Sequence, residues 1–215
     1  MIVNEIFSSI EGEGIRAGEL CTFVRLAGCN LSCDYCDTKY AQCQQDGKEM
    51  HPDEIVAQCS KLGNINITVT GGEPLIHNNI MDLLGLLCAV GFKVNVETNG
   101  SMPIAKYKIS PAFKDNLFFT MDYKCLSSGM NSHMDCKNFV DLRSGDVLKF
   151  VVGNRKDMEQ CLAFRPLLCH KYLSPVFGQI EPKEIVEFMK ENNLADYRLQ
   201  IQLHKIVYPP EMRGV

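Results

Sequence analysis

Short runs with an apolar residue at every second position recur along the chain, and between them lie segments whose apolar residues repeat every three or four. The first pattern predicts half-buried strands and the second amphipathic helices. In segment 65–70, Ile65, Ile67 and Val69 alternate with Asn66, Thr68 and Thr70; in 93–98, Val94 and Val96 alternate with Asn95 and Glu97. Thr120, Asp122 and Lys124 share one side of a strand over 117–124, while Leu199, Ile201 and Leu203 oppose Gln200, Gln202 and His204 in a strand over 198–206. Further strands are predicted over 1–7, 21–26, 147–152 and 172–176. Helices are predicted over 52–62, opened by Pro52, over 77–90, stopped by Gly91, and over 155–168 and 182–192.

Strands alternating with helices argue for an α/β fold with a mainly parallel sheet. A parallel strand covered by helices on both faces is apolar throughout, whereas these strands are polar on one side. An apolar outer face under helices and a polar inner face describe a barrel whose lumen holds a polar ligand. A complete eight-stranded barrel takes roughly 250 residues; this chain has 215, so an incomplete TIM-like β/α barrel is expected, open on one side, with the helices outside. No tandem repeat, linker or long like-charge block divides the sequence, and residues 1–215 are expected to form one domain.

Composition narrows the function. With 46% hydrophobic and 22% charged residues and a mean hydropathy of -0.08, the chain has the make-up of a folded globular protein. A formal net charge of -4 argues against a broad electrostatic grip on nucleic acid or an anionic membrane. The stretch from Met1 to Gly14 carries acids where a signal peptide would be basic, and no apolar run reaches bilayer length, so a cytoplasmic location is expected. Eleven cysteines, an odd number in a chain large enough to build its own core, point to reduced thiols, some of them metal ligands.

The cysteines that carry chemistry lie in Cys29-Asn-Leu-Ser-Cys33-Asp-Tyr-Cys36, a C-x3-C-x2-C loop. A [4Fe–4S] cluster is commonly held by four thiolates, so a loop offering three leaves one iron open to a substrate or cofactor. Zinc is the rival metal, but a structural zinc site wants four protein ligands in paired units, and neither Cys43 nor His51 completes such a pattern. The other cysteines, Cys21, Cys43, Cys59, Cys88, Cys125, Cys136, Cys161 and Cys169, show no paired spacing and are expected to be buried thiols. After the strand at 65–70 comes Thr70-Gly71-Gly72-Glu73-Pro74, whose two glycines would let a ligand approach the backbone.

These two motifs resemble those of the radical S-adenosylmethionine superfamily. Within it the chain is most similar to the ring-contracting enzymes of 7-deazapurine (queuosine) biosynthesis, through Phe7-Ser-Ser-Ile-Glu-Gly-Glu-Gly14, Phe23-Val-Arg25-Leu-Ala-Gly-Cys29, Cys36-Asp37-Thr38, Glu97-Thr98-Asn99-Gly100, Ile109-Ser110-Pro111, Asp122-Tyr-Lys124 and Gln202-Leu-His204-Lys205. The resemblance implies that Cys29, Cys33 and Cys36 hold the [4Fe–4S] cluster. It implies S-adenosylmethionine contacts from Tyr35, Cys36, Asp37, Gly72, Ser110, Pro111 and Ala112, and from Ser174, Pro175, Val176 and Phe177. Thr38 would give its hydroxyl to Mg²⁺, an ion that keeps waters and often takes one or two protein groups.

The substrate implied is 6-carboxy-5,6,7,8-tetrahydropterin. Arg25 would take its carboxylate as a bidentate fork, Glu97 or Glu13 would accept hydrogen bonds from its amino and ring N–H groups, and Ile10, Glu11, Gly12, Thr70 and His204 would complete the pocket. Glu11 stands where many relatives carry Gln, and Ala112-Phe113 where a basic residue is common. A hydrogen would be taken from C6, the ring would contract, ammonia would leave, and 7-carboxy-7-deazaguanine would form with the cofactor regenerated. An external electron donor and a homodimer are expected from the same resemblance. Two rivals are a small activase that makes a glycyl radical on a partner protein, and a non-catalytic zinc or iron–sulfur module.

Overall fold

The structure is a computed structural model that describes residues 1–113, 116–210 and 212–215, with the side chains of all of these but Asp46. Its strands and helices follow the alternation closely. Strands β1 (Ile2–Ile10), β2 (Leu20–Leu26) and β3 (Lys48–Glu49) come first, then helix α1 (Pro52–Leu62), β4 (Asn66–Gly71), α2 (Ile80–Val90), β5 (Lys93–Thr98) and the short α3 (Ala105–Lys108). The second half runs β6 (Leu117–Tyr123), β7 (Val147–Val152), α4 (Arg155–Gln160), β8 (His170–Pro175), α5 (Pro182–Glu191), β9 (Tyr197–Leu199) and α6 (His204–Val207).

Among the described residues nine strands form one sheet, in the order β3-β1-β2-β4-β5-β6-β7-β8-β9. β1 runs antiparallel to β2 and β3, and every pairing from β2 onward is parallel. Among the described residues the edges β3 and β9 do not pair, so the sheet is the open partial barrel expected. The polar sides of the strands face inward as the alternation requires: Ile67, Val69, Val94, Val96, Phe119, Met121, Leu148 and Phe150 join the helix-covered core, while Thr68, Asn95 and Thr120 are buried away from it.

Helix α2 shows why the outer layer forms. Ile80, Leu83, Leu84, Leu87 and Cys88 are buried along one stripe, and the helix ends at Gly91 in the left-handed conformation, φ 96°. Helix α1 starts at Pro52, with the Glu54 carboxylate accepting a 2.7 Å hydrogen bond from the His51 N–H, which ties the end of its first turn. At the far side of the sheet Tyr123, Phe139, Phe150 and Phe164 pack with ring centroids 4.9–5.5 Å apart.

Four expectations are corrected. The helix placed over 77–90 begins at Ile80, because Pro74–Ile76 first forms a separate 3-10 turn capped by the Glu73 side chain. The helix over 155–168 stops at Gln160 and tightens into a 3-10 turn, Cys161–Phe164. The strand over 198–206 ends at Leu199; Gln200 N–H makes one more bond to Leu173 O (2.9 Å), and the chain then turns inward toward α6, leaving Ile201 exposed. Cys43 and Cys136 are exposed, not buried.

That inward turn brings the end of the chain onto the loop that follows β1. Gly14 N–H donates to Gln200 Oε1 (2.6 Å) and Leu203 N–H donates to Gly12 O (3.0 Å). His204 packs so tightly on Gly12 that any side chain there would overlap the imidazole.

Candidate active site

The loop leaving β2 carries the three cysteines and is shaped by backbone hydrogen bonds. Gly28 N–H donates to Ala41 O (2.8 Å), Cys29 N–H to Gln42 O (3.1 Å), Asp34 N–H to Ser128 O (3.1 Å) and Cys36 N–H to Cys33 O (3.2 Å). The loop forms one wall of a cavity of about 590 Å³ that opens at the C-terminal ends of β4 to β8, where barrels of this kind place their chemistry. Cys29, Cys33 and Cys36 all line it. Among the described residues no group of three His, Cys, Asp or Glu side chains stands close enough to hold one metal ion. A four-iron cube, which takes each thiolate on a separate iron, does not impose that closeness. Burial pushes the Cys29 and Cys33 thiols up, so the bare sulfurs carry protons that iron must displace.

The two glycines after β4 have a structural duty as well as the one expected. Gly71 lies at φ 136°, and a side-chain carbon on it would collide with the Leu26 carbonyl; one on Gly72 would collide with the Gly28 carbonyl. Gly72 N–H donates to Leu26 O (3.0 Å) and Glu73 N–H to Gly28 O (2.8 Å). The end of β4 is thereby pressed against the cysteine loop. Glu73, with no exposed surface, then ties β4 to β5 by accepting from Leu75 N–H (3.0 Å), Thr98 Oγ1 (2.8 Å) and Asn99 N–H (2.6 Å). Burial still pushes its carboxyl up to about 6. Asn99 passes the restraint on through hydrogen bonds from Nδ2 to Asn30 Oδ1 (3.0 Å) and Cys29 Sγ (3.9 Å).

Charged groups make the rest of the wall. Glu11 is buried, accepts a 2.5 Å hydrogen bond from Thr68 Oγ1 and lies 3.7 Å from an Arg16 nitrogen. Burial and the charge of Glu97 nonetheless push it up to about 8. Arg16 plugs the lumen beneath it, donating to Lys93 O (3.0 Å), Ile67 O (3.2 Å) and Thr68 Oγ1 (3.0 Å) with its guanidinium over Phe118. Glu97 accepts from Thr70 Oγ1 (2.8 Å) and is raised by burial. Glu13 accepts from Lys149 Nζ (2.6 Å) and Ser174 Oγ (3.3 Å). Asp122 pairs with Lys149 (3.2 Å) and Lys124 (3.1 Å); burial works against its charge, but the two ammonium groups hold its carboxyl low. Arg25 donates from Nε to Glu5 Oε1 (2.7 Å), its guanidinium 5.8 Å from the rings of Phe7 and Tyr40.

Every residue expected around the substrate, Ile10, Glu11, Gly12, Glu13, Arg25, Thr70, Glu97 and His204, lines this cavity. So do Tyr35, Cys36, Asp37, Thr38, Gly72, Pro175, Val176 and Phe177. Ser174 sits behind the wall on Glu13, and Ser110, Pro111 and Ala112 are not in the lining. Lys149, Lys124 and Asp122 line the cavity although no role was assigned to them from sequence. Lys149 did leave a signal: it is the one charged residue in the otherwise apolar strand Val147–Val152, where an unpaired ammonium would be costly.

An open, mainly parallel barrel whose one cavity joins three thiols to a set of charged groups defines the class, and residues 24–114 match the family model described as the Radical SAM superfamily. That class takes a [4Fe–4S] cluster and S-adenosylmethionine, and the three-thiol loop fits the first. The chain is 44% identical to the 7-carboxy-7-deazaguanine synthase of Clostridium acetobutylicum, over 99% of this chain and 98% of that one, and 36% identical to that of Methanospirillum hungatei, over 98% and 86%. It belongs to the 7-carboxy-7-deazaguanine synthase family. Its fold is similar to that of the crystal structure of QueE from Escherichia coli, with a TM-score of 0.73 at 23% identity and 94% of each chain covered. No helix among the described residues is long and apolar enough to cross a membrane.

Proposed function

We propose that the chain converts 6-carboxy-5,6,7,8-tetrahydropterin to 7-carboxy-7-deazaguanine with loss of ammonia. The observation that carries this is the convergence of two unlike sets of groups on one cavity: three thiols, and the charged Arg25, Glu13 and Glu97. The cluster and S-adenosylmethionine, when bound, supply a one-electron cleavage that generates a carbon radical able to take hydrogen from a substrate.

The protein's part is binding and positioning. Cys29, Cys33 and Cys36 hold the cluster, and Tyr35, Asp37, Gly72 and the segment 175–177 surround the cofactor. Tyr35 is fixed by donating from its phenol to Val151 O (3.4 Å) and Asp37 by accepting from Lys205 Nζ (2.9 Å). Arg25, with Nε already committed to Glu5, turns its remaining N–H groups to the substrate carboxylate. Glu97 and Glu13 accept from the amino and ring N–H groups of the pyrimidine edge, and Thr70 and His204 complete the enclosure. Such orientation brings C6 to the radical and keeps water away from it. Thr38, beside Cys36 with its hydroxyl 3.7 Å from that sulfur, offers an oxygen to Mg²⁺, the remaining ligands coming from substrate and water. The same assignment makes the protein one cytoplasmic domain acting as a homodimer with an external electron donor; family membership supports the dimer and the donor, and eleven free thiols support the reducing compartment.

The test is an anaerobic assay of reconstituted protein with dithionite, S-adenosylmethionine, Mg²⁺ and the carboxytetrahydropterin. Product of deazaguanine mass with the cofactor largely unconsumed is expected. Cofactor cleavage with the pterin untouched would overturn the substrate assignment and favour a protein or another small molecule in its place.

A further inference from the structure

Among the described residues that line the cavity, Lys149 is a buried cation that the chemistry above does not use. Lys149 stands in β7, surrounded by apolar neighbours in sequence, with its ammonium turned into the lumen. A buried ammonium is costly unless paired and hydrogen-bonded, and Lys149 has two carboxylates: Glu13 Oε2 at 2.6 Å and Asp122 Oδ1 at 3.2 Å. The two are not equivalent. Asp122 is its register neighbour on β6 and has a second ammonium, Lys124, at 3.1 Å. Glu13 comes from the loop between β1 and β2, where no strand register places it.

We propose that Lys149 is a positioning residue whose ammonium draws the Glu13 carboxylate across the lumen, so that Glu13 and Glu97 together face the N–H edge of the substrate. This rests on the pterin assignment above. One donor reaches each oxygen of Glu13, Lys149 on Oε2 and Ser174 on Oε1. A carboxylate has about four lone-pair sites, so its orientation is fixed while acceptor capacity remains for a ligand. Without the ammonium, Glu13 would face Glu97, Asp122 and the buried Glu11 with only the Ser174 hydroxyl to hold it, and would swing away from the substrate edge. The loop backbone has its own anchors, in Gly14 N–H to Gln200 and Leu203 N–H to Gly12 O. The contribution of Lys149 is therefore the placement of one side chain rather than the folding of the loop.

The experiment compares wild type, K149M, K149R, E13Q and E13Q/K149M, each reconstituted, with KM and kcat for the carboxytetrahydropterin measured separately and cluster absorbance and thermal unfolding recorded. K149M is expected to raise KM at least tenfold with kcat changed less than threefold, K149R to recover KM to within about threefold of wild type, and K149M to add less than threefold once E13Q is present. Because K149M leaves two carboxylates short of a cation, K149M/D122N is run beside it, with the same KM increase expected. An unchanged KM in K149M or K149M/D122N, or an equal penalty with and without E13Q, would overturn the role. Wild-type enzyme that does not turn over the pterin would instead overturn the substrate assignment and this inference with it.

Discussion

The two walls of the cavity are assembled by opposite means. The cysteine wall is one continuous loop, held by backbone hydrogen bonds and by a close fit between glycines and carbonyls. The charged wall is gathered from the loop after β1, from β4, β5, β6 and β7, and from the turn after β9, and it is held by side-chain ion pairs. The first wall is steric and local, so a substitution there acts at one point. The second is a balance of charges at short range, so removing one member leaves its partners uncompensated. Chemistry that requires a fixed cluster beside an adjustable polar ligand is well served by that division.

The comparison can be broken most sharply at the cysteines. Replacing Cys33 by Ala should abolish cluster loading and all detectable turnover while changing the stability of the metal-free protein by less than about 1 kcal/mol, since no core contact is lost; iron content, product mass and urea unfolding check the three parts. Gly72→Ala should act the other way, on the fold. The collision with Gly28 should cost on the order of 3 kcal/mol and lower Tm by roughly 6–12 °C, read by calorimetry.

On the charged wall the effects are smaller and electrostatic. Glu97→Gln should lower kcat/KM for the pterin by roughly 10- to 100-fold, equivalent to about 1.5–3 kcal/mol, with the cluster spectrum and Tm close to wild type. Glu11 separates the walls by pH. Its carboxyl titrates near 8 when folded against an ordinary value of 4.5, so between those values the folded state binds more protons than the unfolded and stability falls as pH rises. Glu11→Gln should remove that component, on the order of 1–3 kcal/mol, and flatten the decline between pH 5 and 8 in urea titrations. The smallest effect is expected behind the lining, where the Arg213 guanidinium lies 3.8 Å from the centre of the Tyr40 ring, which also neighbours Arg25. Arg213→Ala should raise KM by roughly 2- to 5-fold and leave kcat unchanged.

The same contrast explains what could be read from the sequence. The cysteine wall was legible because its ligands are adjacent and their spacing is itself the signal. The polar faces of β4, β5 and β6 were legible too, since strict alternation places Thr68 with Thr70, Asn95 with Glu97 and Thr120 with Asp122. Alternation could not show where a strand stops. Leu199 to His204 keeps the period of a strand, yet the chain leaves the sheet after Leu199 because Gln200 and Leu203 bond the loop at Gly12 and Gly14, contacts between opposite ends of the chain. The role of Lys149 is hidden for a related reason: a single lysine in an apolar strand signals a buried partner without saying which, and Glu13 is brought to it only by the folded barrel. Ser110, Pro111 and Ala112 follow α3 and lie outside the cavity wall, a placement that no local pattern encodes.

The most direct measurement is an anaerobic crystal structure of the reconstituted protein with S-adenosylmethionine and the carboxytetrahydropterin. A cluster on Cys29, Cys33 and Cys36 is expected, with the substrate carboxylate on Arg25 and the amino and ring N–H groups on Glu97 and a Glu13 still held by Lys149. A pterin bound with its N–H edge away from both glutamates, or outside this cavity altogether, would contradict the pterin assignment.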